Sequence, residues 1–333
     1  MGKNVFYIYE IKFMKIFSII VFPFLFISCL KKEIPVPIPE PGNIKTVTIK
    51  IDYPYKYQVY YDCETNSVVS TNTKYDWDIA FECAADSNHI TLNTAKGVFI
   101  ANQGTVDFSS VTSIAGGQWL WDNFAGDLTL TAIGDWRNKH EVYILDRQYN
   151  EQGLHLGYVK IMFQEVTTTS YTFKYANLDG TNEHVITINK DNKLNFIAFS
   201  FDSNTSIALE PASEKWDLLF TNHQHFFSNL SFPFVLTQVL GNTYNGVITA
   251  EDNNGDFLNL DLLSVSKYTF TNIKDEIGYD WKIRNSADNS FTIDGKKSFI
   301  IRTVEGFYYK IRFIDFYNSG GVKGYPKFEI QRL

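Results

Sequence analysis

Asp76-Trp77-Asp78-Ile79-Ala80-Phe81 and Lys215-Trp216-Asp217-Leu218-Leu219-Phe220 carry one pattern twice, at an offset of 139 residues (77 to 216). In each, a Trp-Asp pair leads into a short apolar run of the kind that forms a strand. The match extends upstream at the same offset, Asn66-Ser67-Val68 against Thr205-Ser206-Ile207. Farther on, Tyr158-Val159-Lys160-Ile161-Met162-Phe163 recurs as Tyr308-Tyr309-Lys310-Ile311-Arg312-Phe313, an offset of 150 (158 to 308). Each of these copies follows an apolar strand with a charged end, Val142–Arg147 and Ser298–Arg302. The order of segments is therefore kept. Two copies are too few for a solenoid, and a propeller needs more and shorter blades. The sequence predicts two tandem related β units, residues 44–185 and 186–333, each mostly antiparallel sheet. The same repeats also fit two halves that share one sheet system and do not fold apart.

Composition points the same way. The 333 residues include 28 Phe, 20 Tyr and 6 Trp, together 16%, and aromatic and β-branched side chains favour pleated sheet. Alternation is read again in Thr46-Val47-Thr48-Ile49-Lys50-Ile51 and in Phe307-Tyr308-Tyr309-Lys310-Ile311-Arg312-Phe313, whereas long amphipathic helical patterns are absent. The expected fold class is all-β. A hydrophobic share of 44% and a charged share of 20% belong to a folded body with a sizeable core. The net charge of −7 opposes a nucleic-acid surface or a polybasic membrane patch, so no nucleic acid is expected as a partner.

The longest apolar run, Ile16 to Ile27, is too short to span a bilayer as a helix, which takes roughly 20 residues. Counted from Met14 as the start, Lys15 is a positive n-region, Ile16–Ile27 an apolar h-region and Ser28 a small residue before Cys29, the order of an export signal. Residues 1–28 are read as a signal peptide. Leu25-Phe26-Ile27-Ser28-Cys29 resembles a bacterial lipobox, with Phe26 where Leu is usual, and it implies a lipidated Cys29 as the mature N-terminus. Several acyl chains on one residue give a stable membrane anchor. Pro35, Pro37, Pro39 and Pro41 then make residues 29–43 an extended tether holding the body off the membrane. The expected location is the outer membrane, on its periplasmic or cell-surface face.

The repeated segments resemble the HmuY-like lipoproteins of Bacteroidetes, whose founding members bind haem in an all-β fold. The matching residues are the lipobox at Cys29, the strand Lys45-Thr46-Val47-Thr48-Ile49, and Trp77-Asp78-Ile79-Ala80-Phe81. To these the C-terminus adds Phe299-Ile300-Ile301-Arg302-Thr303-Val304-Glu305-Gly306 followed by Tyr309-Lys310-Ile311-Arg312-Phe313, similar to the closing hairpin of that family. The resemblance runs from leader to C-terminus, with the core pattern occurring twice. It implies a membrane-anchored binding protein that captures haem or a related tetrapyrrole for uptake, with an outer-membrane receptor as a candidate partner. Family members that bind haem hold the iron through two histidines or two methionines on loops after the Trp-Asp strand. In that region this chain offers His184, His223 and His225 as candidate ligands, with His140, His155 and Met162 beside them.

In an extended strand residues i and i+2 share a face, so His223 and His225 cannot clamp one iron from both sides. One of them needs a partner from elsewhere, and His184, near the junction of the units, is the candidate; ordinary loop histidines fit the same pattern. Recurrence of the whole Trp-Asp segment favours a structural carboxylate bonding backbone amides over a catalytic pair. With no hydrolase, phosphate-loop or dinucleotide motif, no catalytic residue and no metal site is assigned. Once Cys29 is lipidated, Cys63 and Cys83 remain, and both a cross-strand disulfide and two free buried thiols are compatible with an exported chain. Trp119, Trp121 and Trp136 lie in turn-rich stretches and fit either core filling under a loop or stacking platforms, the second of which goes with the alternative of a glycan- or protein-binding lipoprotein without haem.

Overall fold

Where the sequence alternates, the backbone is extended. Tyr309, Ile311 and Phe313 point into one core, while Lys310 between them turns to the opposite face and donates to the carbonyls of Phe257 (2.7 Å) and Leu260 (2.6 Å). The computed structural model describes residues 40–333. The leader, Cys29 and the tether up to Pro39 lie outside the described residues. Among the described residues there are strands and short 3-10 turns and no α-helix.

The chain begins with β1 (Lys45–Thr48), β2 (Tyr57–Asp62), β3 (Ser67–Thr73), β4 (Ile79–Glu82) and β5 (Ile90–Leu92). It continues through β6 (Phe99–Asn102), β7 (Trp119–Leu120), β8 (Val142–Asp146), β9 (Tyr158–Val166) and β10 (Ser170–Asn177). Next come β11 (His184–Asn189), β12 (Phe196–Ser200), β13 (Thr205–Ile207), β14 (Leu218–His225) and β15 (Phe234–Gly241). The last are β16 (Ile248–Asp252), β17 (Lys282–Arg284), β18 (Phe291–Ile293), β19 (Ser298–Arg302), β20 (Tyr308–Tyr317) and β21 (Lys323–Arg332).

Two larger sheets have the orders β11-β10-β9-β8-β6-β7 and β1-β21-β20-β19-β16, and two four-stranded sheets have the orders β13-β12-β4-β5 and β15-β14-β2-β3. A separate hairpin joins β17 to β18. One core, from Ile79 to Phe201, fills the space between the six-stranded sheet and β4, β5 and β12. A second, built from Ile49–Cys63 and Leu218–Ile330, lies between the five-stranded sheet and β2 and β14. The sheets do not part at residue 185. The β2–β3 hairpin pairs with β14 (Tyr61 opposite Leu218), and β12–β13 pairs with β4 (Phe199 opposite Ile79). The boundary expected from sequence spacing is thus crossed in both directions, because a strand's partner is chosen by packing and not by chain order.

The Trp-Asp pairs sit at these crossings. Asp78 N–H donates to Phe199 O (2.9 Å) and its Oδ2 accepts from Phe201 N–H (3.0 Å). Asp217 N–H donates to Tyr61 O (2.9 Å) and its Oδ2 accepts from Cys63 N–H (2.9 Å). Each carboxylate therefore ties down the end of a strand from the other half of the chain. Two buried asparagines finish the turns: Asn93 Nδ2 donates to the carbonyls of Lys74 and Trp77 (both 2.8 Å), and Asn242 Nδ2 to those of Ser213 (2.8 Å) and Trp216 (2.9 Å).

Of the two arrangements open to Cys63 and Cys83, the structure has the second: both thiols are free and buried. Cys63 belongs to the second core and Cys83 to the first, so each acts as a small apolar side chain in a different place.

Candidate functional site

β14 carries both histidines of the His223-Gln224-His225 group, and Phe124 touches both of them, as residues two apart on a strand require. His223 is buried. Its Nε2 lies 2.9 Å from Phe124 O, an acceptor only, so Nε2 carries the proton and donates. Nδ1 is then the acceptor for the Thr94 hydroxyl at 2.8 Å. Burial pushes this imidazole down to about 3, so it is neutral with both nitrogens engaged. It locks β14 to the loops around Thr94 and Phe124 and has no lone pair to spare for a metal.

His225 differs. Its ring packs against Phe124 (4.7 Å), Phe227 (4.9 Å) and Tyr279 (4.8 Å). Nδ1 faces Asp275 Oδ2 at 3.5 Å and is buried without a hydrogen-bond partner among the described residues. His184 lies on the edge strand β11, stacked on Tyr175 with ring centroids 5.1 Å apart. No hydrogen bond or ring contact joins it to either histidine of β14, and the two strands share no neighbour. Of the tryptophans read as loop platforms, Trp136 is buried with Nε1 donating to Asn88 O (2.8 Å), Trp119 packs on Tyr158, and Trp121 stacks on Phe226.

Phe227 and Tyr279, the rings against His225, also line a groove of about 480 Å³ at the end of the β14–β15 hairpin. Its other walls include Tyr55, Phe234, Leu236 and Phe291. Small-molecule sites usually measure about 300–1,000 Å³ and are mostly apolar, with a few polar groups that orient the ligand. Lys282 is buried below, donating to Thr237 O (2.8 Å) and Tyr279 O (3.2 Å), with Nζ 4.3 Å from the Trp281 ring centroid. Burial lowers its pKa to about 7. Arg284, exposed at the rim, bonds Asn289 Oδ1. The sequence trace of this groove is Phe227 and Phe234, which frame the hairpin tip and form no spacing motif.

The family model of the HmuY protein matches residues 54–330. The chain belongs to the HmuY family. Known structures similar to it include apo PinO from Porphyromonas gingivitis, at 10% identity and a TM-score of 0.30 over 87% of this chain and 97% of that one. A putative HmuY-like haem-binding protein from Bacteroides vulgatus aligns at 14% identity and a TM-score of 0.23, over 52% of this chain and 90% of its own. A putative lipoprotein from Bacteroides fragilis aligns at 14% identity and a TM-score of 0.21, over 53% and 90%. No curated protein matches the sequence. The HmuY family is one of binding proteins, and the question the geometry addresses is what this member's residues can hold. Two opposed imidazoles across an apolar slot are not assembled among the described residues. One imidazole with an unengaged nitrogen, His225, stands behind the wall of an aromatic groove.

Proposed function

We propose that this HmuY-family chain is a lipid-anchored, non-enzymatic lipoprotein of the outer membrane that captures haem or a related tetrapyrrole, with the groove at the β14–β15 tip as its site. The observation that carries this reading is the groove of about 480 Å³, walled by Phe227, Phe234, Phe291 and Tyr279, with the His225 imidazole packed behind two of those rings. A tetrapyrrole has wide apolar faces that suit aromatic walls, and acid groups at one edge that suit an exposed cation such as Arg284. His225 packs behind Phe227 and Tyr279 and is not itself a wall of the groove, so a bound tetrapyrrole would be held by the aromatic walls and the rim cation, with no iron ligand assigned. Anchoring rests on the h-region Ile16–Ile27 and on Ser28-Cys29.

The chain is further read as two tandem related β units that exchange hairpins. What supports this is the repeated sheet order, in which β11-β10-β9-β8-β6 parallels β1-β21-β20-β19-β16, and the matching bonds of Asp78 and Asp217. Lys160 and Lys310 add to it. Lys160 Nζ donates to Val111 O (3.0 Å) and lies 5.0 Å from the Phe108 ring; Lys310 Nζ donates to Leu260 O (2.6 Å) and lies 4.9 Å from the Phe257 ring.

Absorption spectroscopy of the purified chain titrated with ferric haem tests the ligand. The expected result is a Soret band that shifts and saturates near one equivalent, and saturation that is weakened in Phe227→Ala. No saturable shift in either the ferric or the ferrous state would overturn the haem reading.

A further inference from the structure

A second cavity, of about 110 Å³, lies between the two four-stranded sheets and draws its walls from both halves of the chain. Ala80 and Ala198 come from one sheet, Tyr60 and Leu219 from the other. Its polar groups arrive on loops: Asp122, Glu210 and Lys274. Asp122 accepts from Leu92 N–H (2.7 Å) and Ala132 N–H (2.9 Å), and Glu210 from Phe196 N–H (2.7 Å). These bonds fix where the carboxyl groups sit and leave lone pairs over. Lys274 Nζ has no hydrogen bond and no ion pair among the described residues; its nearest charge-stabilising contact is the Tyr244 ring, with the centroid 5.1 Å away. Gly126 lets the covering loop lie directly on this lysine. It has φ +83°, and a Cβ there would come within 2.7 Å of Lys274 Cβ.

An ammonium and two carboxyl groups thus line one cavity without closing on each other. Each feels the others, since the carboxyls raise the lysine's affinity for its proton, yet burial outweighs this and lowers the Lys274 pKa. Burial also raises Asp122 to about 6 and Glu210 to about 7. The gap between them calls for a group that accepts from an ammonium and donates to a carboxylate at once, which a hydroxyl does. A ligand anion would meet Asp122 and Glu210, and a ligand cation would meet Lys274. Indole and phenol rings complete the walls, with Trp77 oriented by a 2.8 Å bond from its Nε1 to Gln58 Oε1. Such rings offer apolar faces beside polar groups. A cavity of about 150 Å³ holds a bare six-membered ring. This one is smaller, at about 110 Å³, and opens beside the exposed Asp127, so a sugar would enter with part of its ring and keep the remaining substituents at the opening.

We infer that the cavity between the inner sheets is a second binding site, separate from the aromatic groove, and that it takes a neutral pyranose sugar whose hydroxyls bridge Lys274 to Asp122 and Glu210.

Isothermal titration of the full chain with glucose, galactose and mannose, each separately, reads this directly. At least one should bind saturably at about 1 mM or tighter, and Lys274→Met and Asp122→Asn should each weaken it at least tenfold. Glu210→Gln serves in place of either variant that loses its native circular-dichroism spectrum. Gluconate and glucosamine, which carry the two opposite charges, should bind more weakly than the neutral sugar. No saturable heat from any of the three sugars, unchanged affinity in the variants, or tighter binding of a charged analogue would overturn the inference. The haem titration addresses the other site, so either result can fail alone.

Discussion

Asp78 and Asp217 occupy the same place in two strand crossings and are neutralised in different ways. Both are 1% exposed, and both accept a backbone N–H from a strand of the other half. Asp78 is also held by Lys96 Nζ at 2.5 Å and Arg147 Nη2 at 3.2 Å, and Arg147 reaches on to Asp202 at 2.8 Å. Asp217 makes no ion pair among the described residues, and its second oxygen accepts from Val304 N–H at 3.0 Å. Burial without a cation pushes Asp217 up to about 6. What the two sites share is the bond to the incoming strand, so the carboxylate serves backbone closure in both. The ion-pair network belongs to one of them alone.

The largest effect separating the two sites is expected from truncation. Asp78→Ala leaves Lys96 and Arg147 buried without their partner and should lower stability by about 3–5 kcal/mol, the range for breaking a buried pair. Asp217→Ala orphans backbone amides only and should lose about 1–3 kcal/mol. Urea unfolding of both variants measures the difference, and equal losses would mean that the cations around Asp78 contribute nothing.

A smaller effect lies in pH. The Asp217 carboxyl has a folded pKa above its ordinary value of 3.8, at about 6. Its contribution is therefore fully present below pH 4 and is lost as pH rises through 6, by about 1.4 kcal/mol per pH unit separating the two values. Asp217→Asn cannot ionise, so its stability relative to the parent should improve between pH 4 and pH 7. A difference that stays flat over that range would sharpen the comparison the other way, placing Asp217 among compensated carboxylates.

Much of this was legible in the sequence. Alternation at 307–313 and 46–51 marked strands, and the Trp-Asp repeat marked the crossings, because side-chain period and local pattern are properties of short segments. Which hairpin pairs with which was not legible, since strand partnership between residues as distant as Tyr61 and Leu218 leaves no local trace. The histidines show the same limit. His223 was visible as a candidate ligand, but the groups that occupy its nitrogens, Thr94 and Phe124, lie 129 and 99 residues away. Asp122, Glu210 and Lys274 carry no spacing motif and become a constellation only when three loops meet over the inner sheets.

The exchange of hairpins has the most direct test. Residues 75–210 contain every strand of the sheets β11-β10-β9-β8-β6-β7 and β13-β12-β4-β5, together with the whole core from Ile79 to Phe201. Residues 44–185, of similar length, lack β12 and leave β1 and β2 without their partners β21 and β14. Expressed separately and unfolded by heat with circular dichroism as the probe, the 75–210 segment should show a β-sheet spectrum and one cooperative transition, and the 44–185 segment should show neither. Cooperative unfolding of 44–185 with none from 75–210 would contradict the exchange.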